Sequence, residues 1–301
     1  MYKIWGTDFT QTTATVGGTD REGRGRRAPS SFSSLAIRPL GSSPLCSVLR
    51  SGQMKKFNYI VMSLVGRGLD GVVKDAGGRL SLGSAVGVSI QMLAGLRGLH
   101  TVGYLHRDIK PGNSTIGRPE SNEIRLLYLI DFGMARKYTK DDGSQHRPRV
   151  ATNFRGSPRY AAISAHLGRE YSRKDDIESW FYCMIELFKG ALPWSNVGEM
   201  KAIGEAKVKR QKKQPEAVRR QAIADLLSGC PNEFGQVLKY IDDMKYTDKP
   251  DYDWIIATLR SSLSNAGVQE FPYDWETGKR NAAPGAGGGG GGGGGGDSYF
   301  N

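Results

Sequence analysis

The 301-residue chain has little of what marks several protein classes. Its three cysteines, Cys46, Cys183 and Cys230, lie far apart with no C-x-x-C pair, so neither a disulfide framework nor a zinc site is expected. No apolar run approaches the ~20 residues of a membrane span. The opening Met1-Tyr-Lys-Ile-Trp-Gly-Thr-Asp8 lacks the apolar core of a signal peptide. These absences set aside the membrane, secreted and metal-scaffold classes, and the expectation is a soluble protein of the cytoplasm, the nucleus or both. Acidic residues are also outnumbered, 30 Asp and Glu against 42 Lys and Arg, a net charge of +12. That excess suits acidic partners without naming them.

Turn-forming residues, by contrast, are abundant at both ends. Residues 1–53 hold 8 Ser, 6 Thr, 7 Gly and 3 Pro and show no sustained amphipathic period, so an irregular, low-complexity segment is expected there. Residues 54–280 contain nearly all the aliphatic and aromatic clusters and are expected to form the folded domain. Residues 281–301 form a tail with ten consecutive glycines at 287–296, which offer nothing to bury and are expected to be disordered.

Within 54–280, Phe57-Asn-Tyr-Ile-Val-Met62 is a short β-prone run. Ser81 can cap a helix whose apolar positions Leu82, Val86, Ile90, Leu93 and Leu96 step by three or four. The same helix contains Gly83, Gly87, Gly95 and Gly98, each weakening it by about 1 kcal/mol relative to Ala, so only tertiary packing can hold it. Arg125-Leu-Leu-Tyr-Leu-Ile130 is almost continuously apolar and predicts a buried strand. A long helix is predicted near 174–189, with Ile177, Phe181, Ile185 and Phe188 on one face, and further helices near 216–228, 232–245 and 251–264.

The chemistry is concentrated in two strings. His106-Arg-Asp108-Ile-Lys110-Pro-Gly-Asn113 fits the H-R-D-x-x-x-x-N catalytic loop of protein kinases, and Asp131-Phe-Gly133 follows Asn113 by eighteen residues. Asp108 can accept the proton of an attacking hydroxyl, and Lys110 can neutralise charge on a transferred phosphoryl group. Asn113 and Asp131 offer hard oxygen ligands to the Mg2+ that bridges ATP phosphates. Either string alone recurs by chance in loops; both, in order and at a hairpin-like spacing, are specific.

On these and further strings the chain resembles the casein kinase I group, and within it the tau-tubulin kinase-like branch. The matching strings are Phe57-Asn-Tyr-Ile-Val-Met-Ser-Leu64, Gly103-Tyr-Leu-His-Arg-Asp-Ile-Lys-Pro-Gly-Asn113 and Asp131-Phe-Gly-Met-Ala-Arg-Lys-Tyr138. Further on stand Phe154-Arg-Gly-Ser-Pro-Arg-Tyr160, Arg173-Lys-Asp-Asp-Ile-Glu-Ser-Trp-Phe-Tyr182, Leu192-Pro-Trp194, Lys249-Pro-Asp-Tyr252 and Phe271-Pro-Tyr-Asp-Trp275. The resemblance implies an α+β protein-kinase-like fold with a mainly helical large lobe, ATP and Mg2+ as cofactors, and a monomer. It also implies Met62 as gatekeeper of the adenine pocket, with Ser63, Leu64 and Val65 as the hinge, although spacing alone reads Met62 as a core methionine. Asp176 is implied as the helix aspartate bracing the catalytic loop; a carboxylate favoured by the helix N-terminus is the plainer reading. Ala162-Ile-Ser164 stands where most kinases have A-P-E, a departure this group shares. Ser114 and Pro158 depart from the group's own pattern.

Seven cations fall within 207–220, in Lys207-Val-Lys-Arg-Gln-Lys-Lys213 and Arg219-Arg220. By composition this is a solvated face or a nuclear-import signal. The resemblance implies that Arg159 and Lys212 form an anion site for acidic or already phosphorylated protein substrates. Nucleic acid is a poorer fit, because no aromatics interleave with the cations.

A small lobe is not recognisable. The glycine-rich string 17–25 has no flanking strand pattern and reads as linker. Leu35-Ala-Ile-Arg38 imitates V-A-I-K, but Arg38 stands 24 residues before Met62. A helix with its glutamate, two strands and three connections need roughly 33–39. Residues 1–53 are therefore expected to be an altered start of an otherwise ordinary family member, and Phe57 to Met62 an unpaired apolar edge. The expected function is ATP-dependent Ser/Thr phosphorylation; the alternatives are a catalytically dead scaffold that binds phosphopeptides, or a fragment of an active kinase.

Overall fold

The computed structural model describes residues 3–7, 45–55, 57–278 and 280–281. The glycine-rich string 17–25, the string 35–38 and the expected disorder of the glycine tail all lie outside those residues.

A three-stranded antiparallel sheet comes first, in the order β1 (Lys3–Thr7), β3 (Asn58–Met62), β2 (Val48–Gln53). The expectation that 57–62 would stand unpaired is overturned: Lys3 lies opposite Met62 on one side and Gln53 opposite Asn58 on the other. Strand β2 joins β3 through a tight connection in which Met54 N donates to Phe57 O (2.8 Å). Its residues are almost all exposed, so it has no alternating apolar face to betray it in the sequence. The folded region also reaches back past residue 54, because Leu45 is buried in the core and bridges Leu129.

The rest is a mainly helical lobe, as the resemblance implies. It comprises α1 (Leu69–Asp75), α2 (Leu82–Thr101), β4 (Tyr104–Leu105), the hairpin β5 (Ser114–Ile116) and β6 (Leu127–Leu129), and β7 (Arg136–Lys137). Then follow α3 (Ile163–His166), α4 (Arg173–Lys189), α5 (Met200–Val208), α6 (Glu216–Leu227), α7 (Asn232–Asp243), α8 (Tyr252–Asn265) and α9 (Asp274–Thr277). Helices α2 and α4 form the centre. Val86, Leu93 and Leu96 meet Ile177, Trp180, Phe181 and Met184 in one core cluster that continues into Val237, Ile241, Ile255 and Leu259. Trp180 places its indole N–H on the carbonyl of Ser89 (2.7 Å), so this pairing is specific as well as apolar.

Both caps of the central pair are chemical. Ser81 accepts from Ser84 N at the start of α2, and Ser172 with Asp175 closes a capping box at the start of α4. Helix α2 is long and apolar enough to cross a membrane, which corrects the expectation of no such run; 72% of the relevant window is buried, as befits a core helix. Its glycines have a packing cause. A Cβ at Gly83 would stand 2.2 Å from the carbonyl oxygen of Gln269, and one at Gly87 2.7 Å from the Tyr273 ring. The segment after α8 lies directly on α2.

Candidate active site

The pair of short strands β4 and β7 (Tyr104 opposite Lys137, Leu105 opposite Arg136) opens the catalytic loop. His106 and Ile109 are buried, while Asp108 and Lys110 remain partly open. Asp176, in the first turn of α4, fixes the loop from below. One carboxylate oxygen accepts from His106 N and from His100 Nε2, the other from Arg107 N, all at 2.8 Å. The bracing role and the position at a helix N-terminus both hold. Arg107 sits in the left-handed region (φ 69°), a conformation costing roughly 1–3 kcal/mol. Its N–H on Asp176 and its Nε on Met134 O (2.6 Å) keep it there.

Asp108 is the most densely coordinated side chain of the loop. One oxygen accepts from Ser157 N (2.8 Å) and Ser157 Oγ (2.9 Å); the other accepts from Lys110 Nζ (2.8 Å) and Asn113 Nδ2 (3.2 Å). Burial pulls its pKa up, but the bonds from Lys110 and Ser157 outweigh it and hold the carboxyl below its ordinary value. Asp108 is thus ionised at neutral pH and oriented towards the segment around Ser157.

The β5–β6 hairpin explains the eighteen-residue spacing. Its register (Ser114 opposite Leu129, Ile116 opposite Leu127) extends one step further, with Ile130 N donating to Asn113 O (2.9 Å). Asn113 and Asp131 therefore flank the same end of one hairpin. Asn113 spends its amide nitrogen on Asp108, leaving the carboxamide oxygen for another ligand. Asp131 is exposed, holds φ 62°, and makes no ion pair among the described residues. One carboxamide oxygen and one carboxylate with no cation beside them fit a hard divalent ion such as Mg2+. Phe132 packs its ring on His106, centroids 5.2 Å apart, and burial keeps the His106 imidazole neutral by lowering its pKa.

Met62 ends β3, and Ser63 exchanges bonds with Ser47: Ser63 N to Ser47 O (2.9 Å), Ser47 N to Ser63 Oγ (3.1 Å). No described residue takes the backbone of Leu64 or Val65, so their amides and carbonyls are available to an adenine edge. The strand lysine and helix glutamate have no counterpart pair among the described residues.

The basic stretch is corrected most. Lys207 and Arg210 are fully buried, not part of a solvated face. Arg210 pairs with Glu178 (2.5 Å) and with Asp242, and Glu178 stays ionised because Arg210 outweighs its burial. Glu178 also accepts from Ile163 N (3.1 Å), so it ties down the Ala162-Ile-Ser164 segment that replaces A-P-E. The two proposed anion-site residues are both occupied by carboxylates: Arg159 by Glu186 (3.1 Å), Lys212 by Asp243 (2.5 Å). Sequence reasoning missed His100, which joins Asp176 to the Tyr252 hydroxyl (2.6 Å). Its signal was a polar residue four positions after Leu96 on the buried stripe of α2.

Comparison with known proteins agrees with this geometry. A protein kinase domain model matches residues 36–240. A probable serine/threonine-protein kinase of Dictyostelium discoideum is 36% identical over 241 residues, 79% of this chain and 46% of the relative. Casein kinase I homolog 2 of Schizosaccharomyces pombe is 32% identical over 238 residues, 78% of this chain and 54% of the relative. The serine/threonine-protein kinase spe-6 of Caenorhabditis elegans is 35% identical over 252 residues, 82% of this chain and 63% of the relative. The chain thus spans about half the length of the relatives it matches. An H-R-D loop braced by Asp176, a hairpin that joins Asn113 to Asp131, and a family match over two thirds of the residues converge: the chain belongs to the protein kinase domain family, with its likeness to casein kinase I homologues.

Proposed function

We propose that the chain transfers the γ-phosphoryl group of ATP to Ser or Thr hydroxyls of protein substrates, as a tau-tubulin kinase-like member of the casein kinase I group acting as a monomer in the cytoplasm or nucleus. The observation behind this reading is the Asp108 carboxylate, ionised and fixed by Lys110, Ser157 and Asn113. Asp108 accepts the hydroxyl proton, and Lys110 offers its ammonium to the charge that develops on the phosphoryl oxygens. Asn113 and Asp131 would hold Mg2+, which would supply charge neutralisation to the ATP phosphates. Ser63, Leu64 and Val65 receive the adenine through the backbone, behind which Met62 closes the pocket.

Acidic or phosphorylated substrates are read by Arg159 and Lys212. An incoming phosphate has to displace Glu186 from one and Asp243 from the other, so affinity is modest and salt-sensitive. The second reading, a phosphopeptide-binding scaffold, is favoured by one observation: the described residues contain no lysine–glutamate pair beside β3 to hold ATP phosphates. Transfer of labelled phosphate from ATP to casein decides between them. Under the first reading transfer requires Mg2+ and disappears in Asp108→Asn. Transfer that survives in that variant comes from a contaminating enzyme and removes the claim; a wild-type chain that binds phosphopeptide but transfers nothing supports the scaffold.

A further inference from the structure

The segment Ser157–Ala161 is gripped from one side by a group that neither the catalytic loop nor the metal ligands account for. Lys207, on α5, is wholly buried, and its ammonium donates to the carbonyls of Pro158 (2.8 Å) and Ala161 (2.7 Å). It lies over two aromatic rings, Tyr182 at 4.8 Å and Trp194 at 5.0 Å from their centroids. One of the two carbonyls between them is taken as well, since Trp194 Nε1 donates to Arg159 O (2.8 Å). At the other end of the segment, Ser157 donates twice to Asp108. A chain of direct contacts therefore runs from Lys207 through Pro158 and Ser157 to the catalytic carboxylate.

An ammonium is costly to bury, and a merely filling side chain at this position would be apolar. Burial pushes the Lys207 pKa down to about 7 against the pull of Glu178, and Arg210 pushes the same way as burial. The adjacent His166, 3.4 Å away, is itself driven down to about 4 by burial and by Lys207, so the imidazole is neutral at neutral pH.

We propose that Lys207 is a positioning residue for phosphoryl transfer: by holding the Pro158 and Ala161 carbonyls it fixes the platform on which a substrate backbone lies and, through Ser157, the orientation of Asp108. This inference rests on the kinase reading above, and its test separates the two. In Lys207→Met the aromatic cage stays filled while the Ala161 carbonyl loses its donor and the Pro158 carbonyl keeps only His166 Nε2 at 3.2 Å; Lys207→Gln keeps donors without the charge and serves if the Met variant does not fold. Hydrogen exchange is followed at the amides of Ser157, Tyr160 and Ala161, with those of His106 and Arg107 on Asp176 as internal control. Exchange at 157–161 is expected to accelerate about tenfold in the Met variant with the control pair unchanged, and to be partly restored in the Gln variant. KM for the protein substrate is expected to rise about tenfold, with KM for ATP unchanged. Unchanged exchange at 157–161, or a rise shared equally by the control pair, overturns the proposal. A wild-type chain without transfer activity defeats the kinase reading, and the exchange result still decides whether Lys207 holds the segment.

Discussion

Burial raises the pKa of a carboxyl, and two acids on this scaffold answer it in opposite ways. Asp108 has Lys110 and two bonds from Ser157, and ends below its ordinary value. Asp175 is fully buried with Glu178 nearby, and the bonds from Ser172 do not compensate; its pKa is pushed up to about 7. A carboxyl with a raised folded-state pKa costs nothing below its unfolded value near 4, and its penalty grows until the pH passes about 7. Asp175→Asn keeps the capping oxygen and cannot ionise. Its stability relative to wild type is therefore expected to climb between pH 4 and 7 and to level off above. Urea unfolding at a series of pH values measures this, and a difference that is flat across that window contradicts the assignment. The same scale shows what residue types disclose. Asp108, Lys110, Asn113 and Asp131 were legible because their order and spacing encode one loop and one hairpin. Lys207 and Arg210 were not, since a lysine in a basic run is the same letter whether it faces solvent or two carbonyls. Only the partners Pro158, Ala161, Glu178 and Asp242, distant in sequence, make the distinction.

Helix α2 shows the competition between local propensity and tertiary contact within one element. By propensity Gly87→Ala gains about 1 kcal/mol. By packing it drives a methyl group to within 2.7 Å of the Tyr273 ring, which is fully buried and whose hydroxyl receives a bond from Gln91 Nε2 (3.0 Å). Overpacking of that kind costs about 1–3 kcal/mol, so Gly87→Ala is expected to destabilise the wild-type chain. Glu270 Cγ stands at 2.8 Å from the same point, so in a Glu270→Ala, Tyr273→Ala background both obstacles are gone and the same change is expected to stabilise. A mutant cycle by denaturant unfolding reads the sign change; stabilisation in both backgrounds excludes the close approach as the reason for the glycine. The long apolar period of α4 and the clear runs of helix formers in α6, α7 and α8 made those helices legible to within two residues, while for α2 the period and the Ser81 cap were legible but not the end at Thr101. The short helices α1, α3 and α5 were not, because four to nine residues hold too few turns to display a 3.6-residue period. Strand β2 escaped for a different reason: exposed on both faces, it is defined by its pairing with β3 and not by its own side chains.

At the scale of the whole molecule the two sheet-and-helix parts contribute unequally to stability. Among the described side chains the core cluster runs from Leu45 and Leu69 to Leu263 and includes no residue of β2 or β3. Strand β3 is only half-buried throughout, and β2 is nearly all exposed. The helical lobe thus holds itself together, and the small sheet is an appendage joined to it at the hinge and at Leu45. What the small sheet does supply is closure of β3 on both edges, since an open edge of Tyr59, Ile60 and Val61 is a template for another chain. Removing residues 1–7 takes away β1 and bares one edge. The main unfolding transition is expected to shift by no more than about 2 °C, because the described core cluster is built from Leu45 and the helical lobe. Self-association is expected to rise, and to rise further with salt: the net charge of +12 keeps copies apart at low ionic strength, and the screening length falls from about 10 Å at 0.1 M to about 3 Å at 1 M. Thermal unfolding and light scattering on the shortened chain at both salt concentrations test the two expectations together. A melting temperature lowered by ten degrees or more would show that the sheet is integral to the lobe, and a shortened chain that stays monomeric at 1 M salt would show that β1 is not what protects β3.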